Sequence, residues 1–137
     1  MLKLKEQGID VKLLKSNQRK ELIQLTNFPG YNAETTIHPT EEKVIFTSLR
    51  DGDINLFEMD YNGENIIQIT KEYGYDGGAF YSPKGDRIVW RAWYPSTQEE
   101  KAKWKNNLTK KFIESVPLDI YVCLLYTSDA ADERSSV

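Results

Sequence analysis

His38 is the only histidine of the chain and Cys123 its only cysteine. A metal centre built on imidazole and thiolate needs three or four such groups, so neither residue has partners of its own kind. His38 falls at a turn, and a structural role is expected of it. Asp51, Asp53 and Asn55 read D-x-D-x-N, the opening of a calcium loop. That loop needs glycine at its sixth position and glutamate at its twelfth; here those positions are Leu56 and Asn62. A tight hairpin is the better reading. No G-x-S-x-G nucleophile elbow occurs, nor a P-loop or G-x-G-x-x-G, and no carboxylate spacing singles out an acid–base pair. No catalytic residue, metal site or cofactor is expected, and the chain is read as a non-enzyme.

The remaining candidates would bind, not react. Tyr73-Gly74-Tyr75-Asp76-Gly77-Gly78 is a loop whose glycines allow close backbone approach. Tyr75, Asp76 and Arg91 are expected to line the mouth of a central channel. Trp93, with Tyr94 and Pro95, is a candidate exposed recognition patch. The plainer alternative gives these glycines turn geometry and these aromatic rings packing roles.

Composition narrows the partners. Hydrophobic residues make up 39% of 137, charged residues 28%, and the net charge is −3, a globular balance. No basic face argues for nucleic acid. No apolar run approaches the roughly 20 residues of a membrane span, and Met1 to Asp10 lack the apolar core of a signal peptide.

The elements that would position these residues repeat. Gln24-Leu25-Thr26 returns as Gln68-Ile69-Thr70, His38-Pro39 as Ser82-Pro83, and Val44-Ile45-Phe46 as Ile88-Val89-Trp90, each 44 residues on. Tyr31 and Tyr75 share that offset. Ile54-Asn55-Leu56-Phe57 returns as Leu118-Asp119-Ile120-Tyr121 after 64 residues, which places a 20-residue insertion at about 96–116. A period in the forties with short strands is the signature of a propeller blade. Strands are expected at Lys43 to Ser48, Asp53 to Asp60 and Asn65 to Thr70, with glycine turns at Asp51-Gly52, Asn62-Gly63 and Lys84-Gly85. Ile54 and Leu56 point to one face and Phe57 and Met59 to the other, as a blade between two neighbours requires. Thr97 and Glu100 form a capping-box pattern. Trp104, Leu108, Phe112 and Val116 continue as a helical stripe that Pro117 should stop.

The expected fold class is therefore all-β: about two four-stranded blades of an incomplete β-propeller with one helical insertion. The expected divisions are a partial preceding blade over 1–26, with a weak strand copy at Ile9 to Leu13, a blade over 27–70, and a second, truncated blade over 71–122. Residues 123–137 stand apart. Cys123 to Glu133 read C-L-L-Y-T-S-D-A-A-D-E, a string that resembles the translation of a transposon-type sequencing adapter. They are read as foreign to the blade.

Tyr75 to Ala92 (Y-D-G-G-A-F-Y-S-P-K-G-D-R-I-V-W-R-A) and Ser48 to Asn65 (S-L-R-D-G-D-I-N-L-F-E-M-D-Y-N-G-E-N) resemble the blade core of TolB-like propeller repeats. Lys84 departs from the family's aspartate, and His38-Pro39-Thr40-Glu41 replaces Ser-Pro-Asp-Gly. The resemblance implies a binding role toward a protein or peptide partner and a periplasmic or extracellular location. Similar propellers cap serine peptidases of the prolyl oligopeptidase type, which is the alternative reading; there the chemistry would lie in a separate hydrolase domain. A propeller lyase is a third reading, for which His38 would need partners in other blades.

Overall fold

A computed structural model describes residues 22–125. The partial preceding blade therefore lies outside the described residues up to position 21, and the adapter-like tail from position 126. The chain forms β1 (Asn32–Ile37), β2 (Lys43–Ser48), β3 (Asn55–Asp60), β4 (Ile67–Gln68), β5 (Tyr75–Tyr81), β6 (Arg87–Trp93), one helix α1 (Gln98–Thr109) and β7 (Asp119–Leu124). Two antiparallel sheets result, ordered β1-β2-β3-β4 and β5-β6-β7. This is a partial propeller-like all-β fold: two blades, the second with three described strands.

Turn chemistry sets the strand ends. Gly52, Gly63 and Gly85 each close a hairpin turn, their N–H groups donating to Leu49, Asp60 and Ser82 oxygens at 2.9, 2.9 and 2.8 Å. The first blade lacks a glycine at the turn after β1. There His38 Nδ1 accepts from the N–H groups of Thr40 and Glu41, at 3.2 and 3.0 Å. The side chain stands in for a backbone turn, and Nδ1 can accept only if it carries no proton. Ser82, 44 residues on, bonds the Arg87 N–H through its hydroxyl at 3.1 Å.

The sequence repeat is also a repeat of geometry. Both first strands carry a bulge, between Ala33 and Thr36 and between Gly77 and Phe80. At its centre stands a left-handed residue, Glu34 (φ 55°) or Gly78 (φ 64°). The pair Phe46–Phe57 lies at 5.9 Å between ring centroids, and its counterpart Trp90–Tyr121 also at 5.9 Å. The insertion thus lengthens one connection and leaves the register intact.

The sheets pack face to face. Ile45 and Leu56 of the first meet Ala79, Ile88, Trp90 and Ala92 of the second. The first sheet's other face, with Val44, Phe46, Phe57 and Met59, is covered by Leu25, and the Arg50 guanidinium sits 5.0 Å from the Phe46 ring centroid. The first blade is thus buried on both faces, as its apolar pattern requires. The second is not. Val89 and Ile120 take the places of Ile45 and Leu56 yet are exposed, Ile120 at 73% against 0% for Leu56. Phe80 and Val122 lie on the same open face.

Several boundaries differ from expectation. The strand expected over Asn65 to Thr70 is only β4, Ile67–Gln68, and that expected over Asp53 to Asp60 starts at Asn55. The helix ends at Thr109, well before Pro117. Lys111 adopts φ 58°, its N–H donates to Leu108 O at 2.9 Å, and the Phe112 N–H donates to Asn107 O at 2.9 Å. This double closure ends helices and normally uses glycine at the left-handed position, so the sequence carried no visible stop. Of the expected stripe only Trp104 is buried, and Phe112 is exposed. Strand β7 in turn runs past Val122: Cys123 and Leu124 pair with Ile88 and Arg87. Backbone pairing does not depend on side-chain identity, so the first adapter-like residues extend the ladder.

The open face of the second blade should drive self-association, since burying Ile120 or Val122 is worth about 1.5–3 kcal/mol each. Sedimentation velocity of the Ile120→Lys/Val122→Lys variant should shift the population toward monomer. An unchanged distribution would place the sticky surface elsewhere.

Candidate functional site

Strand alternation separates the expected site residues. Tyr75 pairs with Trp93, Asp76 with Ala92 and Gly77 with Arg91. Paired residues share a face and successive ones alternate, so Tyr75, Arg91 and Trp93 point one way and Asp76 the other.

Tyr75 and Arg91 do come together, around a residue that the motif search did not single out. Arg91 Nη2 donates to Glu34 Oε2 at 2.8 Å. The Tyr31 hydroxyl donates to Glu34 Oε1 at 3.0 Å, and the Tyr75 hydroxyl approaches the same oxygen at 3.4 Å. Glu34 sits on the bulge of β1 and Arg91 on β6, so the ion pair ties the two blades. Gly78 leaves it room: a Cβ there would lie 2.8 Å from Glu34 Oε2 and 3.3 Å from Arg91 Nε. Burial, then the Glu34 carboxylate, pushes the Tyr31 hydroxyl up to about 12 and raises Tyr75 as well, so both are neutral donors near neutral pH. The signal for Glu34 was the repeat itself, which sets it opposite Gly78.

Asp76 is corrected. It is fully buried between the blades and lines no surface. Its Oδ1 accepts from Trp90 Nε1 at 2.7 Å and from the Tyr94 hydroxyl. Burial raises its pKa; the hydrogen bonds of Tyr94 and Trp90 oppose that, and Asp53 adds to it. Thr70 spends its hydroxyl on Asn55 Oδ1 at 3.1 Å, and Asp76 Oδ2 has no hydrogen-bond partner. Asn32, 44 residues earlier, does similar work in the first blade, its Oδ1 accepting from Ser48 Oγ at 2.9 Å and Arg50 Nη2 at 3.0 Å.

Trp93 is corrected too. It is half-buried and meets Trp104 edge to face at 5.5 Å. Pro95 beside it is buried, so the expected recognition patch is the root that anchors α1. Trp104, 2% exposed, donates from Nε1 to Asp53 Oδ1 at 2.9 Å, and the Gly74 N–H donates to Asp53 Oδ2 at 2.9 Å. Asp53 is raised by burial and held back by these two bonds. Asp51 Oδ2 accepts from Asn55 and Gln68 side chains at 2.8 and 2.6 Å. The calcium-like aspartates therefore spend their oxygens on internal donors. Among the described residues no cluster of three or more His, Cys, Asp or Glu could hold a metal.

No family model matches the chain. Among solved structures, a protein assigned as TolB from Agrobacterium tumefaciens is similar over 54% of this chain, at 24% identity and a TM-score of 0.49. The likeness covers 27% of that protein's length. Among the described residues, no helix is long and apolar enough to cross a membrane.

Two outcomes test the buried carboxylates. Trp104→Phe leaves Asp53 Oδ1 without its indole donor and should cost about 1–3 kcal/mol in urea unfolding. An effect no larger than that of Lys103→Ala would deny the bond an anchoring role. Asp76 has its folded-state pKa raised, so its favourable contribution is full below the unfolded value near about 4 and fades as pH rises through the raised value. Asp76→Asn should thus gain stability relative to the parent as pH is taken from about 4 to 7. Parallel pH profiles for the two proteins would contradict the placement of that carboxylate.

Proposed function

We propose that this chain is part of a non-catalytic β-propeller binding module for a protein or peptide, with Tyr31, Glu34, Tyr75 and Arg91 as its contact patch. The observation that carries the reading is the conformation of Glu34. A left-handed backbone costs a non-glycine residue about 1–2 kcal/mol, and the second blade avoids that cost with Gly78. Strain of this kind tends to be kept where a side chain is needed in place. Here it presents a carboxylate to an exposed guanidinium and two tyrosine hydroxyls. Such a patch offers charge of both signs and aromatic surface, a combination suited to polypeptide recognition. The similarity of Ser48 to Asn65 and Tyr75 to Ala92 to TolB-like repeats supports a binding role and an exported, envelope location.

Glu34→Gly separates function from folding. It should leave the melting temperature equal or higher while abolishing partner capture by a photo-crosslinking residue placed at Tyr75. The same crosslinker at Glu64, on a remote turn, should capture nothing in common. If Glu34→Gly melts several degrees lower, or if both crosslinking positions trap the same proteins, the patch is structural and the reading fails.

A further inference from the structure

The helical insertion and the loops that lead into the strands enclose an open groove of about 980 Å³, at the upper end of the range for ligand sites. Its walls are apolar. Phe28, Tyr31, Phe112 and Ile113 line it, and all four remain exposed. The early helix stop creates this wall, because the left-handed turn at Lys111 swings Phe112 and Ile113 away from the helical stripe. Its charge has one sign: Lys101, Lys105 and Lys111 line it, with no Asp or Glu. None of the three forms an ion pair among the described residues, whereas Lys103, on the same helix and outside the groove, pairs with Glu114 at 3.2 Å. In a chain of net charge −3, this is a local inversion of sign, and such fields concentrate oppositely charged ligands.

We propose that the groove docks an acidic peptide segment bearing bulky apolar side chains. Its carboxylates meet Lys101, Lys105 and Lys111 while its apolar groups sit among Phe28, Phe112 and Ile113. The spacing of the cations favours a peptide over a single anionic headgroup. Lys101 and Lys105 are one helical turn apart, and Lys111 lies beyond the helix end. They suit carboxylates distributed along a chain. The groove shares Tyr31 with the Glu34 cluster, but its lysines and Phe112 lie outside that cluster, so substitutions at those positions test the groove alone.

The test uses the full 137-residue chain and fluorescence anisotropy. The probes are a labelled decapeptide of alternating glutamate and leucine, its lysine-for-glutamate twin, and laurate as competitor. The acidic peptide should bind and the basic twin should not. The Lys101→Glu/Lys105→Glu/Lys111→Glu variant should weaken binding about tenfold or more, as several weak ion pairs together would. Phe112→Ser should weaken it as well, and Lys103→Glu should leave it unchanged. All these positions are exposed, and a thermal melt of each variant checks its folding. Equal binding of the two peptides, indifference to the triple reversal, displacement by laurate at comparable concentration, or no binding at all would each overturn the proposal.

Discussion

A blade with apolar residues on both faces is stable only between two covers, and the packing of Ile45 and Leu56 on Ile88, Trp90 and Ala92 is the constraint on which the rest depends. It draws polar groups inward with it. Asp76, on β5, is carried out of water by that closure, and Asp53, in the turn before β3, by the Trp104 ring and the Gly74 backbone that cover it. Each is tolerable because tryptophan, tyrosine or backbone donors meet it there. The single open oxygen, Asp76 Oδ2, marks where that compensation ends. In the first blade the same position is Asn32, which does similar work without a charge.

The insertion shows how a repeat accepts new surface. Added between β6 and β7, it leaves the pairing of Trp90 with Tyr121 equivalent to that of Phe46 with Phe57. Trp104 fastens it, through the Asp53 carboxylate and the Trp93 ring, so most of α1 remains free to face solvent. The two surfaces described above adjoin at Tyr31, whose ring lines the groove and whose hydroxyl bonds Glu34. A ligand on either side would therefore meet a residue fixed by the other.

The strand at Lys43 to Ser48, most of that expected over Asp53 to Asp60, the glycine turns and the capping box at Thr97 and Glu100 were legible because they rest on local chemistry: period-two patterning, φ > 0 turns and a side chain reaching a nearby N–H. The helix stop was not legible, because Lys111 takes a conformation that glycine usually signals. Nor was the strand extension to Leu124, which follows from backbone pairing alone.

The sequence by itself determined that the chain repeats at 44 residues, that each repeat carries short strands joined by tight turns, and that both faces of a blade must be covered. Tertiary structure alone decided which candidate residues share a site. Tyr75, Asp76, Arg91 and Trp93 are neighbours in the chain or the ladder, yet strand alternation sends Asp76 into the core and sheet packing brings Glu34, 57 residues from Arg91, to within 2.8 Å of it. Side-chain direction depends on register, and proximity across blades depends on how two sheets close. Neither is a property of a local stretch of chain.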